Sequence, residues 1–172
     1  KAAASDPKNP IFLNRAGEIN HQIGQYRDAI HYYDRTLAVD IFFKDIWLKK
    51  AHAHESLKEL DQAEATRAYV VNRIKEYIDK ANVYIEKQNW VAARDELNLC
   101  VIFDPEQIDA RFNAAKLKIK LNELIDAESE LTEVLKRRPT HEPARLLLTQ
   151  LQSRLQKQRQ IRGMMTPQPM DI

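Results

Sequence analysis

The sequence predicts an all-α chain, a solenoid of helix-turn-helix units closed by a C-terminal helix. The 172 residues include only three glycines, whereas sheets and catalytic loops need more turn residues. Alanines recur at a regular interval, which is typical of a repeat architecture. Hydrophobic residues make up 44% of the chain and charged residues 30%, so one domain with a real core is expected.

The repeat is marked by four alanines. Ala29 and Ala63 lie 34 residues apart, and Ala93 and Ala127 are again 34 apart. A large residue stands three positions before each alanine and a small residue twelve positions before it. The large residues are Tyr26, Leu60, Trp90 and Leu124, and the small ones are Gly17, Ala51, Ala81 and Ala115. We expect the small residues where helices approach closely, and the large ones in the gaps between repeats.

This pattern resembles the tetratricopeptide repeat, a helix-turn-helix unit of 34 residues. Further matches to its signature are Trp47, Tyr33, Tyr84, Pro105 and Pro139. The resemblance extends from Pro10 to His141. It implies a right-handed solenoid in which the first helix of every repeat lines a concave groove.

The chain divides into four predicted repeats, at 10–43, 44–73, 74–107 and 108–141, after an N-terminal extension at 1–9. A capping helix is predicted at 142–162. Pro143 suits its first turn, where the missing N–H is not needed. Gly163 is expected to end this helix, and 163–172 to form a flexible tail.

The junction between the second and third repeats departs from the pattern, because Ala63 and Ala93 are only 30 residues apart. No Pro or Gly occurs from Ala63 to Gln88, and an apolar stripe runs through this stretch. Its members are Val70, Ile74, Tyr77, Ala81 and Tyr84. We favour one long helix at 61–87 in place of the usual turn. The alternative is a tight corner at 70–73, with Asn72 in a left-handed conformation.

No catalytic, cofactor or metal site is predicted. The glycines form no phosphate-binding loop, and Cys100 falls at a small packing position, which indicates a buried, inert thiol. His52 and His54 are two residues apart and so point to different faces of a helix, whereas metal-binding pairs lie three or four apart.

Two carboxylate pairs are expected on the outward faces of second helices. They are Asp95 with Glu96 and Glu128 with Glu130. A solvated face is the interpretation we favour over acid–base chemistry.

The resemblance places a partner-binding groove on the first helices. Its predicted lining is Asn14, Glu18 and His21, then Leu48, Lys49 and His52, then Lys75, Ile78, Asn82 and Ile85, and finally Phe112, Asn113, Lys116 and Ile119. The first half is polar and the second half apolar, which favours an amphipathic helix or an extended peptide. Phe112, Ile119, Ile78 and Ile85 are expected to form the main contact surface, oriented by Lys116 and Asn113. The alternative is that the chain's own tail covers them.

We therefore expect a non-catalytic interaction module, such as an adaptor, a co-chaperone-like protein or an assembly factor. Some co-chaperones of this family grip the C-terminal carboxylate of heat-shock chaperones. Only Lys75 matches that clamp, and Glu18 and Asp79 would repel a carboxylate, so this activity is not expected.

An alternative function is the binding of nucleic acid or an acidic partner by the C-terminal helix. From Pro143 to Met170 there are five basic residues and no acid. They are Arg145, Arg154, Lys157, Arg159 and Arg162. The stretch lacks interleaved aromatic residues for base stacking, which argues against nucleic acid.

No membrane span is expected, since no apolar run approaches the roughly 18 to 20 residues that cross a bilayer. The single cysteine favours a reducing compartment and hence the cytoplasm, with nuclear and periplasmic locations left open. The tail from Met164 to Met170 is rich in methionine, which leaves self-association through it open.

Overall fold

The computed structural model describes residues 8–43 and 45–165, with side chains up to residue 160. This part of the chain is helical and contains no strand. Its helices are α1 (Pro10–Gln22), α2 (Tyr26–Val39), α3 (Ile46–Ser56), α4 (Leu60–Glu86), α5 (Trp90–Phe103), α6 (Ile108–Lys120), α7 (Leu124–Arg137) and α8 (Glu142–Met165). Each helix packs mainly against its neighbours in sequence. The predicted all-α solenoid is confirmed.

The small residues of the repeat lie at the closest helix contacts. All four repeat alanines are buried, and so are the four small residues twelve positions before them. At Gly17 an added Cβ would lie 2.5 Å from Cε1 of Tyr33, so α1 and α2 meet too closely there for a side chain. Among the large residues, Leu60 departs from the expectation. It is the first residue of α4, and 65% of it is exposed rather than filling a gap.

The turns inside the repeats share one backbone geometry. A residue with positive φ lies seven positions after each small residue, and these four residues are Gly24, Lys58, Gln88 and Asn122. Their φ angles lie between 55° and 80°. The left-handed conformation is easy for glycine and tolerated by asparagine. The same turn therefore recurs in all four repeats, including the third.

The second and third repeats are joined by one continuous helix. Helix α4 has 27 residues, which confirms the long helix and excludes the corner at 70–73. Aromatic rings pack beside it. The ring of Trp47 lies 4.4 Å from that of Tyr69, and Tyr77 lies 5.6 Å from Phe103 between ring centroids. Helix α5 packs along the second half of α4 in a shared core.

The last helix is longer than expected. It reaches Met165, so Gly163 does not end it. A glycine inside a helix costs only about 1 kcal/mol relative to alanine, which the rest of a long helix can outweigh. Ala144, Leu151 and Leu155 are buried in a core shared with α7. None of the helices in the described part is both long and apolar enough to cross a membrane. Residues 1–7 and 166–172, which hold most of the predicted extension and tail, lie outside the described residues.

Ala93→Leu is expected to lower the free energy of unfolding by about 1 to 3 kcal/mol, because the buried alanine has no room for a larger side chain. Urea denaturation followed by circular dichroism measures this change. Ala68→Leu is the matched control, since Ala68 lies on the exposed face of α4. Equal effects at the two positions would show that the repeat register is wrong. Glu96 is unsuitable as a control because, contrary to expectation, it is half-buried.

Candidate functional site

The predicted groove residues separate into three neighbourhoods, and the first is a polar cluster between α1 and α3. Nζ of Lys49 lies 2.7 Å from Oε1 of Glu18, and Asn14 donates to the same oxygen at 3.2 Å. Partial burial works to raise the pKa of Glu18, but the hydrogen bond and charge of Lys49, with help from Arg15 and Asn14, outweigh it and lower that pKa. Glu18 is therefore held as a paired carboxylate.

Two histidines complete this polar cluster. Nε2 of His21 lies 2.9 Å from Nδ1 of His52, and Nδ1 of His21 lies 3.3 Å from the hydroxyl of Tyr33. Burial, followed by the charges of His52 and Lys49, lowers the pKa of His21. Burial and the charge of Glu18 raise the pKa of Tyr33 to about 12. These side chains bond to one another, and they join the first repeat to the second.

His54 lies apart from this pair, as its spacing from His52 predicted. Its Nδ1 lies 2.8 Å from Oε2 of Glu59. Within the described residues, no group of three or more His, Cys, Asp or Glu side chains could hold a metal ion.

The second neighbourhood is a cleft along α4, which we call the central cleft. Its two lobes have volumes of about 410 Å3 and about 440 Å3, and Ile78 lines both. The first lobe is lined by Leu48, Arg67, Val70, Val71, Ile74, Lys75, Ile78, Asp104 and Gln107. The second is lined by Ile78, Asn82, Ile85, Leu97, Asp109, Ala110, Asn113, Lys116 and Leu117. Seven of the predicted groove residues lie here: Leu48, Lys75, Ile78, Asn82, Ile85, Asn113 and Lys116.

One face of α4 forms the long wall of the central cleft. Lys75, Ile78, Asn82 and Ile85 follow one another at helical spacing, and Val71 extends the row by one turn. Val71 and Ile85 are exposed although apolar. Sequence analysis missed Val71 because it assigned this residue to the second helix of the preceding repeat. The continuous stripe of a fused helix was the signal that could have found it.

The third neighbourhood holds Phe112 and Ile119, and it differs from the expected open surface. Both side chains are half-buried against a core built largely from α7 and α8. The ring of Phe112 lies 4.8 Å from that of His141. The neighbouring helices therefore cover these two residues in part, and most of the predicted tail lies outside the described residues. Phe112→Ala would remove contacts inside the fold as well as at the surface.

Glu130 corrects the expectation of a solvated carboxylate. Its two oxygens accept hydrogen bonds from Arg111 at 2.7 Å and from Lys118 at 2.8 Å, and both cations are buried. Both cations lie on the face of α6 that packs against α7. The carboxylate of Glu130 therefore lies within this helix contact. Cys100, in contrast, is buried as predicted, and burial raises the pKa of its thiol to about 11.

The basic residues of α8 lie largely on its exposed side. Arg145 lies 2.6 Å from Oε1 of Glu142, and Arg154 donates to Asn122 at 3.1 Å. Lys157 and Arg159 are exposed. The side chain of Arg162 lies outside the described residues.

Comparisons with solved structures find helical-repeat proteins of low sequence identity. YrrB, described as a TPR protein with an unusual peptide-binding site, is 14% identical and matches 90% of this chain and 82% of its own, with a TM-score of 0.46. The first TPR of Spaghetti (RPAP3) bound to an HSP90 peptide is 17% identical and matches 87% and 95%, with a TM-score of 0.41. The first TPR domain of human RPAP3 is 18% identical over 90% and 98%, with a TM-score of 0.39. No protein-family model matches the sequence, and no curated protein matches it.

Proposed function

We propose that this helical solenoid is a non-catalytic protein-interaction module that binds a segment of a partner protein in the central cleft. The observation that carries the proposal is the exposed row of aliphatic side chains along the cleft wall. Val71 and Ile85 are exposed although apolar, and Ile78 between them is half-buried against the core and lines both lobes. Apolar side chains that line a concave surface favour binding of an apolar segment.

The size of the central cleft suits one short segment. The row from Val71 to Ile85 is about 21 Å long, at about 1.5 Å of rise per residue. It therefore accommodates about four turns of a helix, or about six residues of extended peptide at about 3.3 Å each. The partner segment is expected to carry apolar anchors at the spacing of the two lobes.

Polar groups on the rim are suited to orienting the segment. Lys75 and Lys116 stand at opposite lobes, with Asp104 and Asp109 also among the lining residues. A segment with apolar anchors and mixed charges at its edges complements this rim. The side chains of the polar cluster in the first two repeats bond to one another. We therefore expect the partner to bind in the central cleft instead. As an adaptor, co-chaperone-like protein or assembly factor, the chain would act by holding its partner.

Ile78→Ala is expected to weaken partner binding at least tenfold, which corresponds to about 1.4 kcal/mol, because Ile78 contributes to both lobes. A partner is first identified by affinity capture and mass spectrometry. Its purified form is then titrated with wild-type and variant chains by isothermal calorimetry. Leu60→Ala is the control, since Leu60 is an exposed apolar residue outside the cleft. If neither Ile78→Ala nor Ile85→Ala changes the affinity for a verified partner, the central cleft is not the binding site.

A further inference from the structure

Helices α1 and α3 are joined by two side-chain pairs. One is the ion pair of Glu18 with Lys49, and the other is the pair of His21 with His52, whose Nε2 and Nδ1 atoms lie 2.9 Å apart. The two imidazole planes are only 14° from parallel, and their centroids lie 5.1 Å apart. Because the centroids are much farther apart than the two nitrogens, these nitrogens face each other across the contact between the helices.

The contact between the two imidazoles depends on how many protons they carry. In a hydrogen bond between them, one facing nitrogen must carry a hydrogen and the other must be without one. The bond is therefore compatible with two neutral rings, and also with one neutral and one charged ring. When both rings are charged, both facing nitrogens carry a hydrogen. The bond is then lost, and two positive charges oppose each other at close range.

The same repeat positions line an open cleft elsewhere in the chain. In the repeat register, the four members of the two pairs correspond, in chain order, to Asn82, Ile85, Asn113 and Lys116. All four of these residues line the second lobe of the central cleft, whose volume is about 440 Å3. Between the first and second repeats, the side chains at these positions are instead bonded in pairs. The histidine pair thus holds together a part of the solenoid that is open between the third and fourth repeats.

We propose that the pair of His21 and His52 is a pH-sensitive latch, which holds α1 against α3 at neutral pH and releases in mildly acidic solution, when both imidazoles are charged. His21 lies in the last turn of α1, so release frees this end of the helix from the second repeat. The latch belongs to the first two repeats and does not depend on partner binding in the central cleft.

The titratable and charged groups around the pair come from four helices. They are Glu18 on α1, Tyr26 and Tyr33 on α2, Lys49 and Glu55 on α3, and Arg67, which binds Glu55, on α4. Partial burial, followed by the charges of His52 and Lys49, lowers the pKa of His21. The pKa of Glu18 also lies below its usual value despite partial burial, so its ion pair with Lys49 persists in mildly acidic solution.

The lowered pKa of His21 gives the direction of the pH dependence. The folded chain binds this proton less readily than the unfolded chain does. The stability that neutral His21 contributes is therefore complete above the ordinary histidine value of about 6.5, and it is lost as the pH falls below that value.

A double-mutant cycle at two pH values tests the latch. Urea denaturation gives the unfolding equilibrium constants of the wild type, His21→Ala, His52→Ala and the double variant. At pH 7.5 we expect His21→Ala to raise this constant about fivefold more in the wild-type background than in the His52→Ala background. At pH 5.0 we expect that ratio to fall to one or below, because the charged rings repel each other. The cycle cancels the loss of the contacts of His21 with Tyr26 and Tyr33, which occurs in both backgrounds.

Amide hydrogen exchange gives a local measure of release in the full-length chain. After correction for the intrinsic pH dependence of exchange, we expect protection at the C-terminal end of α1 to fall about tenfold from pH 7.5 to pH 5.0, relative to α6 and α7. The matched control is His21→Gln with His52→Asn, whose amides do not titrate and can form a hydrogen bond at both pH values. His54→Gln, which changes a histidine bonded to Glu59 instead, is expected to behave as the wild type does.

Three results would overturn the latch. The first is a cycle without coupling at pH 7.5, and the second is coupling of the same size at both pH values. The third is protection of α1 in the wild type that either does not change with pH or falls equally in His21→Gln with His52→Asn. Circular dichroism verifies that each variant is folded, and the exchange measurement on the wild type tests the proposal even where a variant is not.

Discussion

Glu130→Ala is expected to lower the free energy of unfolding by about 3 kcal/mol, because it would leave two buried cations without their shared carboxylate. Oε2 of Glu130 lies 2.7 Å from Nη1 of Arg111, and Oε1 lies 2.8 Å from Nζ of Lys118. The side chains of the two cations are only 10% and 11% exposed, so water can replace little of what the carboxylate provides. The stabilisation that is lost is that of the contact between α6 and α7.

Urea denaturation of matched variants measures this effect. Glu128→Ala, on the same helix, is the control: Glu128 is half-buried like Glu130, but its carboxylate accepts an exposed hydrogen bond from Gln152 instead of pairing with buried cations. The double variant Glu130→Ala with Lys118→Met is expected to recover part of the loss, since it removes one of the unpaired cations. A loss of less than about 0.5 kcal/mol in Glu130→Ala, the usual range for surface substitutions, would show that the triad is solvated in solution.

The helix order and the close packing could be predicted because they depend on residue size at fixed spacing. Alanine at Ala29 or Ala93 is informative on its own, since only a small side chain fits a close helix contact. The shortened spacing between Ala63 and Ala93 similarly predicted α4, although the sequence left the corner at 70–73 open. The structure decides between them, because α4 is unbroken from Leu60 to Glu86 and Asn72 is not among the residues with positive φ.

The ion triad could not be predicted, because it depends on how far each helix turns about its own axis. Arg111 occupies the position that holds Leu13, Trp47 and Tyr77 in the other repeats, where a large apolar residue is expected. A buried arginine at that position requires a carboxylate on the facing helix. Sequence spacing alone assigned Glu130 to the outer face, whereas the packing of α6 on α7 places it inside.

The candidate groove was predicted in part for the same reason. Ile78, Asn82 and Ile85 lie in the central cleft because one continuous helix fixes their common face. Phe112 lies one residue from Asn113, yet its ring turns toward His141 while Asn113 lines the cleft. Adjacent positions on a helix differ by about 100° in direction, so neighbouring residues can face the groove and the core. Which of them faces the groove depends on the rotation of the helix about its axis, which the sequence pattern does not give.

Val71→Pro is expected to lower the free energy of unfolding by about 3 kcal/mol or more, because proline inside a helix removes a backbone hydrogen bond and clashes with the preceding turn. Val71 lies near the middle of α4, twelve residues into its 27, and its side chain is 63% exposed. The effect should therefore come from the backbone. Proline also disfavours the helical conformation at Val70, whose side chain is buried in the core that α4 shares with α5.

Two controls isolate this backbone effect. Val71→Ala is expected to change stability by less than about 0.5 kcal/mol, as an exposed substitution. Leu60→Pro places the same proline at the first residue of α4, where the N–H has no partner within the helix, so it is expected to be tolerated. Chemical denaturation and the helical signal at 222 nm compare the three variants. If Val71→Pro unfolds at the same midpoint as Val71→Ala, then α4 is not continuous in solution, and the tight corner at 70–73 describes the junction better. A selective loss for Val71→Pro would instead show that the continuous helix transmits stability between the second and third repeats, because no turn separates them.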